Sequence, residues 1–149
     1  MHDLSKYGLI EFRASARHFQ GTRSPIDVEK EVHGYSLAWQ NHKAKNKHHW
    51  QYWTDFDNGT VFAVTMPQKY VAEMLCDWIG AGKAYNSGTW TVKTFRAWYE
   101  KNKENILICD SVRDQIEYVV AIAQNYPHLC GLIRLISKSK LQIDDIIEV

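Results

Sequence analysis

Residues 112–123, VRDQIEYVVAIA, carry the clearest helical pattern in this chain. Val112, Ile116 and Val119 recur at spacings of three and four residues, while Arg113 and Glu117 fall on the opposite side. This periodicity predicts an amphipathic helix with one face packed against a core. The Asn-Tyr-Pro sequence at 125–127 predicts where that helix ends.

Weaker versions of the same pattern predict helices along most of the chain. The expected ranges are about 3–19, 28–47, 66–79, 92–102 and 128–137. We expect Asp27 or a neighbouring residue to cap the second helix and Pro67 to lie near the start of the third. The apolar residues of the first helix form an imperfect helical stripe, Leu4, Tyr7, Ile10, Phe12 and Phe19. The buried side of the second is expected to be Val32, Tyr35, Leu37, Ala38 and Trp39. The third helix should bury Tyr70, Val71, Met74, Leu75 and Trp78, and the fourth carries Phe95, Trp98 and Tyr99.

One segment departs from the helical pattern. Asn58-Gly59 lies between two runs of β-prone residues, with Phe56 before it and Val61 and Phe62 after it. Asn-Gly in this setting strongly indicates a β-hairpin. The fold class we predict is therefore all-α, a helical bundle with one short β-hairpin.

Composition excludes several classes of protein. A length of 149 residues suits one globular domain, and 45% hydrophobic residues is ordinary for such a domain. The net charge of +1 gives no strong signal for nucleic acid. No apolar run is long enough to cross a bilayer, and no signal-peptide pattern is present. The three cysteines are scattered, so we expect a reducing cytoplasm and no disulfide framework.

His2 and Asp3 offer a divalent metal two ligands of complementary type, and Lys6 follows one helical turn later. Asp3 also has a simpler interpretation as a helix cap.

A second group of candidates comprises His42, His48 and His49. His42 and His49 are seven residues apart and would share a face of a continuous helix. With Lys43, Lys45 and Lys47 between them, the histidines suggest a metal-and-anion site. The alternative is a solvated, basic helix end.

Asp77 is the third candidate, on a helix whose neighbouring residues Leu75 and Trp78 look buried. A carboxylate there needs a compensating cation. Glu73 lies four residues earlier on the same face, and two like charges at that spacing are mildly destabilising. A shared metal ion would remove the conflict, and so would pairing with Lys83 or Arg96.

These residues carry a resemblance. His2-Asp3-Leu4-Ser5-Lys6 is similar to the His-Asp-x-x-Lys signature of the HD superfamily of metal-dependent phosphohydrolases, and Asp77 is similar to its last metal-ligand Asp. Within it, the chain resembles a small bacterial and phage family over about residues 2–90. The matching motifs are His2-Asp3-Leu4-Ser5-Lys6, Ala38-Trp39 with His42, Asn46 with His48-His49-Trp50, Tyr52-Trp53, Met66-Pro67 with Tyr70, Glu73-Met74, and Asp77-Trp78 with Gly80-Ala81-Gly82-Lys83-Ala84-Tyr85.

The resemblance implies one HD-like domain over residues 1–149. We expect it to lack the helix that precedes the His-Asp pair in that superfamily, and to have 138–149 as a loosely held tail. It implies metal ligation by His2, Asp3 and Asp77, with His42, His48 or His49 on a second ion. One or two divalent transition-metal ions, Mn, Fe, Zn, Co or Ni, suit such ligands.

The expected function is hydrolysis of a phosphate ester in a nucleotide or related small molecule. Lys6 and Lys83 would offset charge on the phosphoryl oxygens, and Glu73 would orient a ligand or the water. Two alternatives remain. One is an inactive HD-like module that binds a nucleotide or a host protein, and the other is a di-iron oxygenase of the same fold. The expected partner is thus a nucleotide or another small phosphate ester. We expect no association with a membrane, and the sequence does not decide between a monomer and an oligomer.

Overall fold

The computed structural model describes residues 3–21, 23–86 and 88–123. These residues contain six α-helices and one two-stranded antiparallel hairpin, which confirms the predicted all-α class with a short β-hairpin. The chain divides into two compact units, Met1–Tyr52 and Trp53–Val149, which are treated separately. The predicted helix at 128–137 and the tail at 138–149 lie outside the described residues, and the single-domain expectation stays a prediction.

The first unit begins with a 3₁₀ turn, Leu4–Tyr7, followed by helices α1 (Leu9–His18), α2 (Pro25–His33) and α3 (Leu37–Lys45). Helix α1 packs against both α2 and α3. The predicted first helix is thus interrupted at Gly8, where the backbone is extended. The predicted second helix is two helices, because Gly34 turns the chain with a φ of 78°. Helix α2 starts after Ser24, so the predicted cap at Asp27 is wrong.

Glu29 of α2 stabilises the start of α3. Its Oε2 accepts hydrogen bonds from the Ser36 hydroxyl at 2.5 Å and from the Ala38 amide at 3.3 Å. Burial alone would raise the pKa of Glu29, but the bonds from Ser36, Ala38 and Leu37 outweigh it and hold that pKa below its ordinary value. A carboxylate at the positive end of a helix is favourable, so Glu29 joins the two helices.

The faces predicted for the first two helices are mostly wrong. Ile10 and Phe12 of α1 are more than half exposed, whereas Glu11 between them is 3% exposed. The other exposed members of the predicted faces are Leu4, Tyr7, Phe19, Val32, Tyr35 and Leu37, and Ala38 is the one that is fully buried. The reason is that this unit has a polar interior, as described below.

The second unit contains strands β1 (Thr54–Asp57) and β2 (Thr60–Ala63), then helices α4 (Gln68–Tyr85), α5 (Val92–Asn102) and α6 (Asp110–Ile122). The strands pair with Phe56 opposite Val61. Asn58 and Gly59 form the turn with φ of 48° and 81°, as the sequence predicts. Helix α4 runs six residues past its predicted end at Ile79, through Gly80 and Gly82.

The core of the second unit is apolar. It is built from Val71, Met74 and Leu75 of α4, Phe95 and Tyr99 of α5, and Val112, Ile116, Val119 and Val120 of α6. The periodic faces predicted for these helices are therefore largely confirmed, with Trp98 as an exposed exception.

Candidate metal centre

Four of the predicted metal ligands meet in the first unit. Asp3 precedes the opening 3₁₀ turn, His42 lies in the last turn of α3, and His48 and His49 follow that helix. Each contributes one ligand atom, and the four atoms lie within 4.8 Å of one another. Helix α3 ends at Lys45, so the histidines do not converge through helical periodicity as expected. They converge because the chain turns after Asn46, where the His49 amide donates to the Asn46 carbonyl.

Asp3 does not act as a helix cap. Its side chain makes no capping hydrogen bond, and its backbone is left-handed with a φ of 60°. For a residue other than glycine that conformation costs about 1 kcal/mol. The carboxylate instead pairs with Lys6 through Oδ2 at 2.5 Å and directs Oδ1 toward two imidazoles. A strained residue that aims a carboxylate at histidines suggests a functional role.

The distances from Asp3 are compatible with two ligands of one metal ion. Its Oδ1 lies 3.4 Å from His42 Nε2 and 3.3 Å from His48 Nε2. Hydrogen bonds between nitrogen and oxygen usually span about 2.7–3.2 Å. Two ligands each about 2.1 Å from one ion, at a tetrahedral angle, lie about 3.4 Å apart. The spacing therefore matches neighbouring ligands of one ion.

Glu11 supports His42 from behind. Its Oε2 lies 2.9 Å from His42 Nδ1, and both side chains are almost fully buried. The Asn46 amide donates to the Ser5 hydroxyl and the His42 carbonyl, and the Ser5 hydroxyl lies 3.3 Å from Nδ1, farther than Glu11. A carboxylate only accepts, so the short contact between Glu11 and Nδ1 needs a proton on the ring nitrogen. We therefore assign the proton to Nδ1, which donates it to Glu11. In the neutral ring Nε2 then presents its lone pair toward Asp3, as metal-binding histidines backed by a carboxylate do.

His49 is held neutral. Burial, followed by the nearby His48 and His42, lowers the pKa of His49 to about 3. Its Nε2 is buried and has no hydrogen-bond partner among the described residues. Its ring lies 4.2 Å from that of His48 and 5.0 Å edge-on from Trp39, measured between ring centres. A neutral imidazole with a buried, unsatisfied nitrogen fits the requirements of a metal ligand.

The first unit has a polar interior. Among its described residues, Val28 and Ala38 are the buried apolar ones. The buried polar or charged residues are Asp3, Glu11, Glu29, Ser36, His42, His48 and His49. A unit of about fifty residues can rarely bury enough apolar surface to fold stably on that basis alone. A metal ion held by these groups would therefore contribute to folding as well as to chemistry.

The remaining predicted residues have different outcomes. Lys6 lies beside Asp3, with its side chain 59% exposed. His2 lies outside the described residues. Glu73, Asp77 and Lys83 lie on α4 of the second unit, and their predicted roles stay predictions.

Sequence reasoning missed Glu11. The available signal was an acid within an imperfect apolar row, at a position where the pattern of α1 expects a polar side chain facing solvent. Its partner His42 lies 31 residues later, so nothing local marks the pair.

No helix among the described residues is both long and apolar enough to cross a membrane. No curated protein and no solved structure matches this chain. The likeness to the HD superfamily therefore stays a prediction. A family model does match residues 1–122, which include the whole metal-compatible cluster and all six described helices. The chain belongs to the family that this model describes as "Family of unknown function (DUF5662)".

Proposed function

We propose that this protein is a metal-dependent phosphohydrolase acting on a nucleotide or a related small phosphate ester. The observation that carries the proposal is the convergence of Asp3, His42, His48 and His49 within 4.8 Å. Glu11 behind His42 adds the carboxylate–histidine support that metal sites commonly have.

The donor set suits a particular kind of ion. Three imidazoles and one carboxylate favour Zn, Mn, Fe, Co or Ni over Ca or Mg. Four ligands are sufficient for one ion, and catalysis would require that ion to expand beyond four-coordination so that water and a phosphoryl oxygen can bind. A second ion would need further ligands.

Each residue of the first unit has a defined task in this proposal. Asp3, His42, His48 and His49 would hold the ion, which when bound supplies Lewis acidity toward a phosphoryl oxygen and a water molecule. Glu11 fixes the ring orientation and tautomer of His42. Lys6 places a solvent-accessible cation beside Asp3, where it can offset negative charge on an incoming phosphoryl group. Burial of the ligands excludes bulk water and strengthens these interactions.

The cysteines are consistent with a reducing compartment. Cys76 and Cys109 form no disulfide among the described residues, and we keep the cytoplasm as the proposed location.

The experiment is a screen of nucleotides and simple phosphate esters with the wild-type protein, loaded in turn with each transition metal. We expect turnover with at least one metal, and loss of it in His48→Ala. His33→Ala is the matched control, since His33 is an exposed histidine of the same unit outside the cluster. Turnover that survives in His48→Ala would contradict the proposal. Nucleotide binding that persists in chelator without turnover would identify the binding module instead. Turnover restricted to iron and dioxygen would identify the oxygenase.

A further inference from the structure

A cleft of about 380 Å³ lies between α4 and α5 of the second unit. Its walls include Trp78 and Tyr85 of α4, Trp90 from the connecting segment, and Phe95 and Trp98 of α5. Tyr85 and Trp98 are 64% and 43% exposed, so the cleft opens to solvent. A concave surface lined by aromatic rings, with a few polar groups at its edge, is the usual form of a small-molecule site.

The cleft depends on a glycine. A Cβ atom at Gly82 would lie 2.7 Å from Nε1 of Trp90, which is too close for the indole to stay where it is. Glycine inside a helix costs about 1 kcal/mol relative to alanine, and here it lets Trp90 lie directly on the helix backbone. Gly80 on the same helix has open space around the corresponding position. Gly80→Ala is therefore a matched control for Gly82→Ala, because only the second substitution would displace Trp90.

One cation, Lys83, lies beside the cleft. Nζ of Lys83 lies 4.8 Å from the centre of the Trp90 ring, and no carboxylate is among the described residues that line the cleft. With no acidic group in the described lining, the ammonium of Lys83 repels a cationic ligand that enters the cleft. The same ammonium attracts an aromatic ligand that carries a negatively charged substituent.

We propose that this cleft binds a planar aromatic ring bearing a negatively charged substituent, with the ring against Trp78, Trp90 and Trp98 and the charge near Lys83. Stacking on indole rings is tolerant of ring type. Nucleoside monophosphates and aromatic carboxylates share the required chemistry. The proposal concerns residues of the second unit and does not rest on the proposed phosphohydrolase activity.

The test uses the indole N–H resonances of the ¹⁵N-labelled full chain, assigned by Trp→Phe substitutions. Adenosine 5′-monophosphate and benzoate are titrated separately. The compound with the lower dissociation constant shows whether the cleft prefers a nucleoside monophosphate or an aromatic carboxylate. We expect saturable shifts at Trp78, Trp90 and Trp98 that persist in chelator. Ribose 5-phosphate, which lacks the ring, should cause none. Failure of both aromatic anions to shift these resonances would overturn the proposal. So would shifts confined to Trp39 and Trp50 of the first unit, or shifts abolished by chelator.

Substitutions test the contact with the ligand's ring and the contact with its charge independently. Gly82→Ala should weaken binding about tenfold by displacing Trp90, whereas Gly80→Ala should change it by less than about twofold. Lys83→Gln, an exposed substitution with little risk to folding, should weaken adenosine 5′-monophosphate about two- to fivefold and leave adenosine unaffected. Equal affinities for Gly82→Ala and Gly80→Ala would overturn the assignment of the ring site. An unchanged affinity in Lys83→Gln would overturn the assignment of the charge.

Discussion

Replacing Glu11 with Gln removes the negative charge behind His42 while keeping the size of the side chain. In the structure the carboxylate accepts the His42 Nδ1 proton at 2.9 Å, in a position that is 3% exposed. Loss of such a supporting carboxylate typically weakens metal binding 10- to 100-fold, or about 1.4–2.7 kcal/mol. Because the Gln amide oxygen can still accept that proton, we expect about tenfold for Glu11→Gln and about a hundredfold for Glu11→Ala.

The assay is competition for Zn²⁺ between the protein and a fluorescent chelator at one fixed pH. Glu31→Gln is the matched control, since Glu31 is an exposed carboxylate of the same unit that pairs with Arg23. Its metal affinity should equal that of the wild type. An unchanged affinity in Glu11→Gln would refute the support role. An equal loss in the control would show that general electrostatics, and not the contact with His42, sets the affinity.

Three further predictions concern stability and activity. Metal at a hundred times its dissociation constant should stabilise the first unit by about 2.7 kcal/mol, and a melting temperature indifferent to metal and chelator would contradict this. Lys6→Gln should keep its metal but lose about tenfold in kcat/KM on a phosphate ester, which steady-state kinetics would check against the wild type. Glu29→Gln should lose about 1 kcal/mol at pH 7 in denaturant unfolding. The folded protein lowers the pKa of Glu29 from 4.5, so the ionised carboxylate stabilises the fold fully above pH 4.5. This stabilisation is lost as the pH falls through the pKa of the folded state. A stability difference between the wild type and Glu29→Gln that persists at pH 2 would contradict the prediction.

The second unit was predictable because it follows the ordinary rule that helices bury apolar faces. Val112 and Ile116 are buried where the periodicity of α6 places them, and Val71 and Leu75 do the same on α4. The hairpin was equally predictable, since the turn requires a left-handed backbone at Asn58 and Gly59.

The first unit reverses that rule. Its helices bury ionisable groups and expose apolar ones, so Ile10 and Phe12 lie outside and Glu11 lies inside. Periodicity analysis assumes an apolar interior and therefore assigns the wrong face. The break between α2 and α3 was missed because a single Gly34 inside a helical pattern is a weak signal without knowledge of its φ.

The candidate site was predictable in residue type but not in geometry. Asp3, His42, His48 and His49 were recognised as metal-ligand types from the sequence, yet the turn that gathers the histidines lies beyond the end of α3. The role of Glu11 could not be predicted, because its hydrogen-bond partner His42 lies 31 residues away in the sequence.

The metal content of the protein purified without chelator tests the central claim most directly. With four ligands converging on one point, we predict about one transition-metal ion per chain in the wild type and in His33→Ala. His49→Ala should contain far less, because it loses a buried imidazole whose Nε2 otherwise has no partner among the described residues. A wild-type protein without transition metal, or a full complement of metal in His49→Ala, would contradict the account.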